Sequence, residues 1–391
     1  MKSALIVFLK EVRENLRDRR TLINTLLTGP LLGPLVFVLL INTLVTRELN
    51  KADAPLKLPV IGAEHAPNLI EALKQQRIEI LPGPADAERA VREQDADVVL
   101  RIPSQYAENW DKGQPAQVEM ILDESQRDSS AAVRRVQATL EAYGQRTGAL
   151  RLLARGLSPS VMKPVVVAER DQSTPQSRSG TLFSMLPYFF ILGTFLGGMA
   201  LAIDTTAGER ERQSLEPLLA NPVSRGQVLI GKLAATTAFA MTTTLLSILA
   251  FSVAGHFLPT DRIGMELDIG AGFAARVLFV MLPLAVLLAS LQTMVAAFAK
   301  SYREAQTYLS LLMFVPVIPT MMLSILPFKP QMWMYAVPLM GQQVAITRLL
   351  RGETVAPQAL LLCFACTALA ALVVYFVTAR IYRNERLAIS A

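Results

Sequence analysis

Six stretches of the 391-residue chain carry almost no charge and are long enough to cross a bilayer as helices: 22–45, 181–203, 228–256, 271–298, 305–327 and 357–379. A hydrocarbon core of ~30 Å takes ~20 apolar residues in helical form. Inside it the backbone has to satisfy its own hydrogen bonds, which favours a helix for each run. Composition agrees through its distribution: apolar residues make up 52% and charged ones 18%, and the charges gather between the runs. A mainly α fold with six transmembrane helices is expected.

The net charge of +6 would fit nucleic acid only as a basic face on a soluble domain. Here the basic residues flank apolar runs, and no nucleic-acid partner is expected. Lys2, Lys10, Arg13, Arg17, Arg19 and Arg20 precede the first run, and Arg210, Arg212, Arg225 and Lys232 follow the second. Lys300 and Arg303 follow the fourth, and Arg380, Arg383 and Arg386 follow the last. The alternate loops offer Arg262, Lys329, Arg348 and Arg351. The positive-inside rule then places both termini in the cytoplasm of a multi-pass cell (inner) membrane protein. The first run differs from a secretion signal, because Glu11, Glu14 and Asp18 precede it and no A-x-A site follows. It is expected to stay attached.

Residues 1–21 place Leu5, Phe8, Leu9, Val12 and Leu16 on one side of a helix with charges opposite, the pattern of a cytoplasmic interfacial helix lying on the membrane. A helix that binds a cytosolic partner is the alternative. Residues 46–178 separate the first two spans and read as a small α/β extracytoplasmic domain. Strands are expected at "LPVIG", "IEILPG", "ADVVLRIP" and "AQVEMILDES", helices at 67–76 and 86–94, and a long helix from Ser129 to Arg155. The five remaining spans occupy 179–391.

Chemistry-bearing residues are few. Cys363 and Cys366 form C-x-x-C inside an apolar run, where they read as packing residues and not as a redox or zinc pair. His65 and His256 are the only histidines, too few for a histidine metal site or a catalytic dyad. Gly226, Gly231 and Lys232 in "RGQVLIGKLAATT" fit G-x-x-x-x-G-K, the opening of a phosphate loop. The next position holds Leu233 in place of a magnesium-binding Ser or Thr, and the residues run straight into a membrane helix. No cofactor is expected on this chain, and any ATP is hydrolysed by another polypeptide.

The surrounding segment 204–227 is the longest charged stretch between apolar runs on the cytoplasmic side. As a helix over Glu209–Leu219 it would set Leu215, Leu218 and Leu219 to one side, leaving Glu209, Arg210, Glu211, Arg212 and Glu216 available to water or a partner. The residues Glu209, Arg210, Glu211, Glu216, Leu218, Leu219, Pro222, Ser224, Arg225, Gly231 and Lys232 fit E-R-E-x-G-T-x-E-x-L-L-x-x-P-x-S-R-x-x-x-x-x-G-K. This closely resembles the cytoplasmic signature of ABC-2 type transporter permeases, particularly the NatB-like sodium-efflux permease subfamily. Gln213 and Ser214 stand where that pattern has Gly-Thr. "ADVVLRIPSQYAENWDKGQPAQVEMILDES" looks like the subfamily's extracytoplasmic domain. "WMYAVPLMGQQVAITRLLRGE" is similar to its segment before the last span, with Gly341 in place of Asn.

The resemblance implies the non-catalytic membrane subunit of an exporter. Its partners would be an ABC ATPase subunit carrying ATP and Mg, a second permease copy or a paralogous permease, and membrane lipid. The segment Glu209–Glu216 and the interfacial helix at 3–20 would receive the ATPase's motion, with Leu215, Leu218 and Leu219 filling an apolar cleft of the partner. The cargo is open among an amphipathic molecule, a lipid, a drug and sodium; the sparse polar lining favours an amphipathic or apolar one. Gly193, Gly197 and Gly198 read as close helix packing, and Gln292 with Thr293 as the main polar pair on a possible pathway. Gln342 and Gln343 are read as a solvated loop, with a short re-entrant or interfacial helix lining an exit as the alternative. A membrane-anchored receptor or sensor is the chief rival function, but it calls for an output domain that the short inner loops lack.

Overall fold

The computed structural model describes residues 2–18, 23, 29–53, 56–123, 130–162, 165, 168, 170, 172, 174, 183–214, 223–257, 269–326 and 329–383. They fall into two compact units, Met1–Thr43 with Gln172–Ala391, and Leu44–Asp171. The chain opens with helices α1 (Lys2–Arg17) and α2 (Gly29–Asp53).

Within Leu44–Asp171, strands β1 (Leu56–Ile61), β2 (Ile78–Pro82), β3 (Val98–Arg101) and β4 (Glu119–Leu122) make one sheet in the order β2-β1-β3-β4. β1 runs parallel to β2 and β3, and β4 closes the edge antiparallel to β3. Parallel neighbours need crossovers, which α3 (Pro67–Gln75) and α4 (Ala87–Arg92) supply. The apolar run Val98-Val99-Leu100 is buried on both faces, as a central strand between helices should be. Val98 and Leu100 join Leu58, Leu73 and Val136 on one face, while Val99 meets Ala87 and Val91 on the other.

A helix not foreseen from the sequence, α5 (Gln105–Asp111), follows β3. Trp110 is stacked between Tyr106 and Tyr143, each pair of ring centroids 5.7 Å apart. Arg151 covers Trp110 at 4.5 Å from the ring centroid. Tyr143 and Arg151 belong to α6 (Ser130–Ala154), so one aromatic stack fastens α5 to the long helix.

The other unit holds α7 (Leu186–Glu211), α8 (Arg225–Gly255), α9 (Ala271–Ala296), α10 (Tyr302–Leu312), α11 (Phe314–Ile325), α12 (Met340–Leu350) and α13 (Pro357–Arg383). Among the described residues five segments are long and apolar enough to cross a membrane: α7, α8, α9, Tyr302–Ile325 and Pro357–Tyr382. The expected first span differs: the apolar part of α2, Pro30–Thr43, is shorter than those five, and 24–28 lie outside the described residues. Between α10 and α11, Pro316 has no N–H to offer the Leu312 carbonyl, which accounts for the break near Met313.

Close approach of α7 to its neighbours rests on three glycines. A Cβ on Gly197 would stand 2.3 Å from Thr243 Oγ1, one on Gly193 would stand 3.0 Å from Ser247 Oγ, and one on Gly198 would stand 2.8 Å from Gln292 Oε1. Gly193-x-x-x-Gly197 therefore lets α8 lie against the α7 backbone, and Gly198 admits the Gln292 side chain of α9. Threonines complete the seam: the Thr194 and Thr244 hydroxyls lie 2.6 Å apart, one donating to the other while the second donates to a carbonyl of its own helix, Phe190 O or Ala240 O.

Candidate functional site

The last turns of α7 are where span and charge meet. Over Asp204–Gly208 the helix widens into a π-turn, and the Glu209 N–H reaches Asp204 O and Thr206 O, bypassing the Thr205 carbonyl. That carbonyl accepts from Lys232 Nζ of α8 at 2.5 Å. The same ammonium donates to Glu209 Oε2. Lys232 is fully buried and Glu209 only 6% exposed. An ion pair so deep gives back little beyond its own desolvation, but removing either partner strands a charge in a dry site.

α1 completes the cluster. It crosses α8 at Gly231, where a Cβ would sit 2.7 Å from Val7 Cβ and 2.8 Å from the Ala4 carbonyl, so only glycine permits this approach. Its buried stripe is Val7, Glu11 and Asn15, one residue per turn. Leu5, Leu9 and Leu16, expected on the apolar side, are more than half exposed, while Phe8 and Val12 pack on Leu201 and Phe239. Lys10 Nζ reaches Glu11 at 3.2 Å, Glu209 at 3.3 Å and Glu14 at 3.4 Å. Burial pushes the Glu11 carboxyl above its ordinary range; Lys232 opposes this, Glu209 adds to it, and Lys10 again opposes. Burial works against the Lys10 charge, yet Glu11, Glu209 and Glu14 together hold its ammonium well above the usual range.

The helix expected over Glu209–Leu219 ends instead at Glu211. Gln213 takes a left-handed backbone (φ 55°), and the N–H groups of Gln213 and Ser214 bond to Arg210 O and Glu209 O at 3.1 and 3.0 Å. These are the two reverse bonds of a Schellman stop. Leu215, Glu216, Leu218 and Leu219 lie outside the described residues. Of the five charges expected to face water or a partner, the four described are distributed differently. Glu209 points inward; Arg210 is half-buried and reaches Ala299 O at 3.5 Å. Glu211 Oε2 accepts from the Tyr302 N–H at 2.7 Å, at the positive end of α10. Arg212 bonds Asp204 Oδ1 at 2.6 Å. Only Glu211 and Arg212 of the four remain exposed.

Residues 20–379, most of the chain, match the family described as "ABC-2 family transporter protein". The chain belongs to that family. It is also 26% identical over 353 residues to the ABC transporter permease protein NatB of Bacillus subtilis (strain 168), an alignment covering 88% of this chain and 89% of that protein. The protein is thus a multi-pass ABC-2 permease, the membrane subunit of an ABC transporter, and a transport component by family.

Membership gives the signature residues physical roles. Glu209 and Lys232, at opposite ends of the motif, are the buried pair, and Gly231 is the contact point for α1. The phosphate-loop lookalike is therefore accounted for by packing: its lysine is already engaged and its second glycine is covered by a helix. Gln213 occupies the left-handed stop where the ABC-2 pattern has glycine, the residue that takes this conformation without strain. Sequence reasoning missed Lys10, Glu11 and the role of Lys232. The available signal was Glu11 on the same face as Val7, a carboxylate in line with an apolar residue.

Deeper in the membrane helices, Gln292 and Thr293 are fully buried. Gln292 Nε2 donates to Phe195 O at 2.7 Å, while Gln292 Oε1, Thr293 Oγ1 and Ser290 Oγ have no hydrogen-bond partner among the described residues. Gln342 and Gln343 are not in a solvated loop. Both are buried in α12, where Gln342 donates to Thr367 Oγ1 at 2.9 Å and Val280 O at 3.3 Å, and Gln343 to Ser324 Oγ at 2.9 Å. An amide in an apolar setting finds its partners on facing helices, and these pin α12 to α9, α11 and α13. Cys363 and Cys366 are both free, and Cys363 Sγ would lie 2.9 Å from a Cβ at Gly341.

Proposed function

We propose that this permease is the export channel of an ATP-driven transporter, worked by a separate ABC ATPase that docks on the face formed by α1 and the end of α7. The observation that carries this reading is the Lys10–Glu11–Glu209–Lys232 cluster, which ties α1, α7 and α8 into one body at the place where the charged segment leaves the membrane. A push on α1 then reaches two spans at once, as rigid-body gating requires. Exposed Glu14, Glu211 and Arg212 would set partner specificity at the rim.

In this reading the chain spans the membrane six times, with α2 inside the first span and both termini in the cytoplasm. Residues 46–178 lie outside the cytoplasm, and two copies or a paralogous pair form the pathway in the cell membrane. ATP and Mg belong to the partner. The cargo is an amphipathic molecule, a lipid or drug in preference to a bare sodium ion. Support comes from an apolar groove of 930 Å³ between α8, α9 and α13, bordered by Met241, Leu282, Val286, Phe364 and Leu372, and from buried Ser, Thr and Gln as the main polar groups of the spans.

The test is co-purification and coupled transport with the ABC ATPase. Wild type should retain the ATPase and stimulate its turnover in liposomes. A Glu211→Arg, Arg212→Glu variant should lose binding, and Glu209→Gln should keep binding but lose export. Full binding and export by both variants would overturn the docking face.

A further inference from the structure

A cavity of 540 Å³ lies away from the coupling cluster, where α9 begins and α12 ends. Three features make it electropositive. α9 is 26 residues long and starts behind Gly270, whose lack of a side chain leaves the first N–H groups without a side-chain cap. Arg276, one turn into α9, lines the cavity. So does Arg351, whose Nε is buried with no hydrogen-bond partner among the described residues.

Among the described lining residues the one carboxylate is already engaged. Glu353 accepts from Arg348 Nε at 2.6 Å, and Arg348 also donates to Tyr335 Oη at 3.2 Å and Thr354 O at 3.4 Å. Arg348 and Glu353 therefore cancel, and two guanidiniums and a helix N-terminus remain facing one space. A buried guanidinium N–H without an acceptor is costly, and the combination of arginine forks with backbone N–H groups is the one that oxyanions satisfy.

We propose that this cavity binds a phosphate-type oxyanion, held by Arg276 and Arg351 over the start of α9. The cavity is of ligand size and sits at the end of an apolar span beside Phe273, Leu349 and Leu350. That is the depth of lipid headgroups, whose phosphate oxygens are acceptors that a pair of arginines can take. The same chemistry could come from free phosphate. The site stands independently of the export reading.

The experiment uses the full-length protein in nanodiscs. Phosphatidylglycerol is titrated against phosphatidylcholine, inorganic phosphate is tested in a parallel arm, and retained lipid is read by native mass spectrometry and stabilisation by thermal unfolding. Wild type should prefer the anionic lipid. Arg276→Gln with Arg351→Gln should lower that preference about tenfold or more, the loss expected for one charge-assisted hydrogen bond. Gly272→Glu keeps a favourable helix start, since nothing lies within 4 Å of a Cβ there, and its carboxylate should expel the anion by repulsion. Arg303→Gln, an exposed arginine on α10, should change nothing. An effect with inorganic phosphate alone would support the site with a soluble ligand. Unchanged lipid and phosphate binding in Gly272→Glu would overturn the proposal, whatever the fate of the double variant.

Discussion

Lys232 of α8 and Glu209 of α7, 23 residues apart in sequence, form an ion pair in which the ammonium is wholly buried and also holds the Thr205 carbonyl at 2.5 Å. Breaking such a pair from one side is more damaging than removing both charges. Lys232→Met should cost ~3–5 kcal/mol, and the double variant with Glu209→Gln should recover a large part of it. Thermal unfolding of the purified protein in detergent checks the order of the three.

Gly231 sets how closely α1 can approach. Gly231→Val should push α1 off α8, uncovering Val7 and Glu11. Limited trypsin digestion should then cut faster after Lys10 and Arg13, with export lost while the membrane helices stay intact. Unaltered digestion would show that α1 accommodates the added methyls.

Gln213 adopts a left-handed conformation at the α7 stop. Gln213→Gly removes that strain and should stabilise by about 1 kcal/mol, less the entropy glycine adds to the unfolded chain. Gln213→Val should move the melting temperature the other way.

Glu11 has a carboxyl raised by burial, against an ordinary value of 4.5. A folded-state carboxylate pKa above the unfolded one means that the folded form binds more protons between the two values, so stability falls as pH rises through that window. Glu11→Gln should flatten this slope, matching wild type below 4.5 and gaining on it as pH rises above that value. Lys10 acts in the opposite region: its raised ammonium adds stability that disappears only in strong alkali.

The apolar helices were legible because lipid leaves few alternatives, and the four strands because their apolar runs have turn signals at each end. α5 was hidden: "QYAENWD" offers only the Tyr106–Trp110 spacing over barely two turns, and its helix is fixed by Trp110 stacking on Tyr143 of a distant segment. The glycine packing of α7 was readable from its four-residue spacing. The inward turn of Glu209 was not, because its partners Lys10 and Lys232 lie 199 and 23 residues away. Gln342 misled for the same reason. An amide looks like a loop residue until Thr367 and Val280 are placed opposite it.

The widened turn at Asp204–Gly208 holds one surplus residue in a helix whose rise is ~1.5 Å per residue. Drawing that residue into regular winding would return the Glu209 amide to the Thr205 carbonyl, which it would then share with the Lys232 ammonium, and would shift the charged tip along the axis. The position of the charged tip and the grip of Lys232 on α7 are thereby tied to the winding of the same five residues.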